Sequence, residues 1–284
     1  MNGLITRDVK DYDPTNSRSA ILGGNTILVK WSDIEPTEGQ IDPNFLEHVR
    51  SFGTGINLRI LGGASAPTWL NVPTFTYNEG VSGRAYDMPY WWTERYMSAW
   101  EVLNLRLENM LGVWVDTIHL TGGGTLYAEP FIRSVWANRD TLPIGIEEDQ
   151  AALLRMHKQQ TEAWPYGYTA LSVHPWQGLS ATGTPISSLP LAVEHALAVK
   201  PTYVGAHNLR ENPTAAMLAQ WDAIKELPFK AYFQTANPTK IDNWVKALDR
   251  GMAYEPVFIE LNRDLKTYSV EAMVDFIHQM KKWE

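Results

Sequence analysis

Short runs of β-branched and apolar residues alternate along the chain with stretches whose apolar positions recur at helical spacing, the pattern of repeated βα units around a parallel sheet. Eight runs read as strands, at 4–9, 26–31, 56–61, 115–121, 168–174, 202–207, 229–235 and 257–262, the first being the least marked. In the segment 90–111, Trp92, Tyr96, Ala99, Trp100, Leu103, Leu107 and Met110 share one face at i, i+3, i+4 spacing and predict an amphipathic helix. Further helices are expected at 43–52, 147–163, 189–199, 214–226, 240–250 and 269–282, each followed by a short Gly- or Pro-containing connection. Eight units over 284 residues average about 35 residues each, which predicts an α/β chain folded as a single (β/α)8 TIM barrel over 1–284.

Connection lengths distinguish the two ends of that barrel. Helix-to-strand links such as Gly53-Thr54-Gly55, Gly112-Val113-Trp114 and Pro165-Tyr166-Gly167 are short, whereas the links after the third, fourth and fifth strands run over 62–89, 122–146 and 175–188. All the long loops project from the C-terminal ends of the strands, where barrels of this kind build their sites. They carry Trp69, Tyr77, Tyr86, Tyr127, Trp136 and Trp176. Flat rings on loops can stack on the apolar C–H faces of sugars; packing the loops against one another is their other use.

Composition narrows the chemistry. Lys plus Arg number 24 against 32 Asp plus Glu, a net charge of -8, so no basic surface for a phosphate backbone is expected and nucleic acid is not the expected partner. The chain has no cysteine, which removes disulfides, thiolate metal sites and cysteine nucleophiles together. Residues 1–10 lack the apolar core of a signal peptide, and no apolar run approaches the roughly 20 residues that span a bilayer, so a soluble chain without membrane contact is expected. The 12 tryptophans, many beside Pro, Gly or polar residues, need an explanation, and the loop aromatics as a group favour a carbohydrate cleft.

Two motifs bring a family into view. Trp31-Ser32-Asp33-Ile34-Glu35-Pro36-Thr37-Glu38-Gly39 closes the second strand and Pro67-Thr68-Trp69-Leu70 follows the third. Together they resemble W-x-x-x-E-P-x-E-G and P-x-W-L, in that order, in the clan of (β/α)8 glycoside hydrolases that includes bacterial β-galactosidases and cellulases. From the residues alone, Glu35 reads as a structural carboxylate holding loop amides. The resemblance implies a catalytic acid/base glutamate after the fourth strand, commonly followed by proline, and Glu129-Pro130 stands there after Gly122-Gly123-Gly124. Ala128 replaces the asparagine usual before it. The resemblance also implies a nucleophilic glutamate at the end of the seventh strand, where this chain has Gln234. An amide does not readily form a glycosyl ester, so Glu260 on the eighth strand is the expected second carboxylate, across the mouth from Glu129.

Glu260 has a second reading, because Lys30 and Arg59 are cations within apolar strands and a buried cation needs a partner such as Glu260 or Asp33. His119, His174 and His207 fall at or near strand ends, where they can donate hydrogen bonds to sugar hydroxyls. A divalent metal is the rival use, but residues 3–13 lack the His-x-His of metal-dependent barrel hydrolases, so no metal and no cofactor is expected. The expected function is hydrolysis of a poly- or oligosaccharide by Glu129 and Glu260. Trp31, Arg59, Trp69, His119, Tyr127, His174, Trp176, His207, Asn208, Gln234 and Asn262 are the expected binding residues. The alternative is a barrel that binds carbohydrate as a recognition or structural module without cleaving it.

Overall fold

A computed structural model of the chain describes residues 3–7, 22–80, 83–123, 129–132, 135–261 and 268–281. Its strands are β1 (Gly3–Arg7), β2 (Asn25–Lys30), β3 (Ile56–Leu61), β4 (Thr74–Asn78), β5 (Ala85–Pro89), β6 (Val115–His119), β7 (Tyr168–Ser172), β8 (Trp176–Leu179), β9 (Pro185–Ser188), β10 (Tyr203–Leu209), β11 (Lys230–Thr235) and β12 (Phe258–Leu261). Eight of them close a parallel barrel in the order β1-β12-β11-β10-β7-β6-β3-β2, and the eight expected strands are these eight. The pairs β4-β5 and β8-β9 are antiparallel hairpins standing in the long loops after β3 and β7. Neither hairpin is anticipated by the sequence pattern.

The helices are α1 (Trp31–Ile34), a single turn, then α2 (Pro43–Ser51), α3 (Glu94–Leu111), α4 (Val135–Asn138), α5 (Ile146–Ala163), α6 (Leu189–Val199), α7 (Ala215–Glu226), α8 (Trp244–Met252) and α9 (Val270–Met280). Their starts follow from local chemistry. Asp42, Ser188, Thr214, Asn243 and Ser269 each accept a hydrogen bond from a backbone N–H of the first turn, satisfying one of the donors a helix start leaves over. In α2 and α6 a proline occupies the first turn, where its missing N–H costs nothing.

Strand alternation decides what fills the barrel. Register pairs Tyr232 with Phe258 and Gln234 with Glu260, so these four stand on one face, joined by Ile5, Gly205, Arg59 and His119 from neighbouring strands. Toward the N-terminal end the filling is apolar: Ile5, Ala170, Tyr203, Tyr232 and Phe258 form one cluster, with the last two rings stacked at 5.0 Å. Gly205 makes that stack possible, since a Cβ there would lie 2.4 Å from the Tyr232 ring. One layer higher the filling turns polar, and this change of character builds the site.

Candidate active site

Arg59 is fully buried in the polar layer, on a β3 whose every residue is buried. Its guanidinium donates to both oxygens of Glu260, at 3.3 Å to Oε1 and 3.0 Å to Oε2, and to Oε1 of Gln234 at 3.2 Å. Thr26 Oγ1 adds a donor to Glu260 Oε2 at 3.1 Å. The carboxylate expected to activate water is therefore held at the closed centre of the barrel by a cation and a hydroxyl, the arrangement a buried charge pair requires. This is the ion-pair reading of Glu260, and Arg59 is accordingly a core partner with no exposed surface. Lys30, the other cation read as buried, is exposed and needs no partner. His119 lies beside the guanidinium, at 3.3 and 3.4 Å from its two ring nitrogens. Burial, then the charge of Arg59, hold the His119 imidazole well below its usual range and keep it neutral.

Above this layer stands Glu129, buried to all but 4 %. Its Oε1 lies 3.5 Å from His207 Nδ1 and 3.8 Å from His174 Nε2, and the two imidazoles are tilted together with centroids 5.4 Å apart. Three consecutive barrel strands thus contribute one residue each, β6 through the loop that carries Glu129, β7 through His174 and β10 through His207. A register shift in β10 between Ala206 and Leu209, with Asn208 in the left-handed region at φ 67°, aims His207 toward Glu129. Burial lowers the His207 pKa against the pull of Glu129, which favours a neutral ring. Glu129, His174 and His207 form the one group among the described residues whose ligand-type atoms, all within 4.8 Å of one another, have the spacing to hold a metal ion. His174 is braced from outside the barrel by Gln220 of α7, whose Nε2 lies 3.1 Å from His174 Nδ1 and 2.5 Å from the Val173 carbonyl. The sequence gives no sign of Gln220, because a glutamine on a helix reads as surface until the helix is docked.

The tryptophans expected to stack on sugar are placed differently. Trp31 is fully buried, donates to Glu35 Oε2 at 3.1 Å and meets Trp69, Tyr96 and Trp100 edge-on. Trp176 is equally sealed: it stacks on Phe131 at 5.0 Å and donates to Asp149 Oδ2 at 2.9 Å. Neither ring has a free face, which corrects the expectation of substrate contact for both. Trp69 is half-buried on the flank of the barrel, donating to the Glu35 carbonyl with Arg95 of α3 over its ring at 5.6 Å. Glu35 ties this corner together, accepting from the Gly39 amide at 2.7 Å and from Arg106 at 3.1 Å. Gly122, after β6, serves packing: its carbonyl accepts from Gly63 and Tyr96, and a Cβ on Gly62 would fall 1.9 Å from it. Asn208 contributes backbone shape, and Gln234 faces Arg59. Tyr127 and Asn262 lie outside the described residues.

Solved structures that share the fold of this barrel include glycoside hydrolases. The β-galactosidase from Bacillus circulans sp. alkalophilus superposes with a TM-score of 0.56 at 11% identity, over 92% of this chain and 50% of that one. A psychrophilic glycoside hydrolase family 10 endo-β-1,4-xylanase gives 0.54 at 9% identity, over 92% and 85%. The GH10 from Paenibacillus barcinonensis gives 0.51 at 13% identity, over 93% and 84%. At these identities the likeness is one of fold. No known family profile matches the sequence, and no curated protein matches it. No helix among the described residues is long and apolar enough to cross a membrane.

Proposed function

We propose that the chain is a glycoside hydrolase acting on a poly- or oligosaccharide, with Glu129 as its proton-transferring group. The observation that carries this reading is the position of Glu129, after the fourth barrel strand, with His174 and His207 of the next two strands both turned toward its Oε1. With Oε1 facing the imidazoles, the proton given to the glycosidic oxygen as its bond to C1 breaks is carried on Oε2. A neutral His207 ring orients the carboxyl without adding positive charge that would oppose its protonation. The shared fold and the motifs at 31–39 and 67–70 support carbohydrate as the substrate class. No cofactor takes part in this reaction.

Water activation is the second requirement. In this proposal Glu260 supplies it only by leaving Arg59, because a carboxylate bound at both oxygens by a cation is a poor base. That observation, with Gln234 at the end of the seventh strand, favours a second reading in which the barrel binds a glycan and does not cleave it. Reducing ends released from a panel of polysaccharides and bacterial surface glycans separate the two. Hydrolysis that falls by about 100- to 10,000-fold in Glu129→Gln supports the first reading. Hydrolysis untouched by that change removes Glu129 from the chemistry. Binding of a glycan with no release from any makes the second reading the better one, and a gain of hydrolysis in Gln234→Glu would then identify the missing carboxylate.

A further inference from the structure

Gln220 is buried on α7 and reaches inward past β10 to the strand end that carries His174. Its Nε2 makes two contacts, 2.5 Å to the Val173 carbonyl oxygen and 3.1 Å to His174 Nδ1. A carbonyl oxygen has no hydrogen to give, so the amide atom facing Val173 must be the NH2 group. The second hydrogen of that NH2 then points at His174 Nδ1, which has to accept it. A neutral imidazole that accepts at Nδ1 carries its own hydrogen on Nε2. Nε2 is the atom turned toward Glu129 Oε1. The His207 backbone N–H also approaches Nε2, but at 3.5 Å it sits at the outer limit of a hydrogen bond and does not outweigh the 3.1 Å contact.

We propose that Gln220 is a positioning residue that locks His174 in the Nε2–H tautomer, making it a fixed neutral donor to Glu129. At 3.8 Å the donor stands just outside hydrogen-bond reach of the carboxylate and needs only a small closure to meet it. A nitrogen that holds a hydrogen has no lone pair for a cation, so Glu129, His174 and His207 work as a hydrogen-bonded unit and not as three metal ligands. A donor at Oε1 favours the ionised carboxylate, and Gln220 therefore helps to set the pH at which Glu129 gives up its proton. This catalytic consequence rests on the reading of Glu129 as the proton-transferring group; the tautomer does not.

The test is a long-range 1H–15N spectrum of the imidazoles of the full chain near neutral pH, with His174 assigned by its loss in His174→Gln. The expected wild-type result is a pyridine-like Nδ1 and a pyrrole-like Nε2. The opposite pattern overturns the proposal and frees the Nε2 lone pair for a metal ion. In Gln220→Leu the His174 signals are expected to become those of a mixed or inverted tautomer; an unchanged spectrum also overturns it. Should that variant fail to fold, the wild-type spectrum still decides. With a hydrolysed substrate in hand, Gln220→Leu is expected to lose roughly tenfold in kcat/KM and to move the Glu129 limb of the pH profile upward at constant KM. A chain that hydrolyses nothing leaves the spectral test intact, so failure of the tautomer and failure of the glycosidase reading are told apart.

Discussion

Arg59 and Glu260 show what a charge does when the chain takes it out of water. Each has 0% of its side chain exposed, and each satisfies the other through two short contacts. Desolvating such a pair costs about as much as the attraction returns, so its net worth is small while the cost of breaking it is large. Glu260→Gln strands the guanidinium and is expected to destabilise the chain by about 3–5 kcal/mol. Replacing both partners, as in Arg59→Met with Glu260→Leu, is expected to cost much less than the two single changes together. Urea denaturation of the four chains checks this, and additive losses would mean that the two side chains do not act as a pair. The pairing was legible as one of two uses of Glu260, since a cation in an apolar strand must find an anion. The braced imidazole was not, because neither Gln220 nor the bulge at Asn208 has a signature in residue type alone.

Among the elements, the strands and long helices were the legible part. The expected strand at 56–61 is Ile56–Leu61 and the expected helix at 189–199 is Leu189–Val199, because periodic burial is written directly into periodic sequence. The hairpins Thr74–Asn78 with Ala85–Pro89 and Trp176–Leu179 with Pro185–Ser188 escaped because short strands pinned by tertiary contacts carry little pattern of their own. What pins them is Asp149, in the first turn of α5. Its buried carboxylate accepts from Trp91 at 3.0 Å, just after the first hairpin, and from Trp176 at 2.9 Å, in the second. Burial pushes the Asp149 pKa up to about 7 from 3.8, with the two indole donors opposing. The folded pKa is the raised one, so Asp149 contributes stability that is complete below about pH 4 and is lost as pH rises through about 7. His157, held down to about 4 by burial, acts oppositely, losing stability as pH falls below its ordinary 6.5. Comparison with Asp149→Asn isolates the aspartate: wild type is expected to lose stability relative to the variant between pH 4 and 7. Parallel stability curves for the two chains, followed by thermal melting across that range, would remove Asp149 from the pH response.

At the scale of the whole molecule, a closed barrel has no edge, but its packing is divided. β2 and β3 stay in register from Asn25 with Ile56 to Lys30 with Leu61. β1 and β2 register among the described residues at Thr6 with Asn25 and at Arg7 with Thr26, and the Thr6 amide reaches outside β2 to the Gly24 carbonyl at 3.2 Å. The division is in the apolar packing. One large cluster joins β2, β3 and β6 to α3 and α5, and another joins β1, β7, β10, β11 and β12 to the later helices, so the β1-β2 junction lies where the two meet. Local opening follows weak packing, and at this junction of the two clusters native-state hydrogen exchange is expected to find the Thr6 and Gly23 amides at least tenfold less protected than those of β3. Equal protection around the barrel would contradict this. The seam bears on the site because β1 is also the neighbour of β12, where Ile5 stands beside Glu260. Parting β1 from β2 disturbs the wall beside the pair, where Thr26 of β2 donates to Glu260 Oε2 at 3.1 Å. If Glu260 does take part in hydrolysis, Leu4→Ala, which loosens β1 from its side of the core, is expected to change the rate as well as the exchange of Thr6.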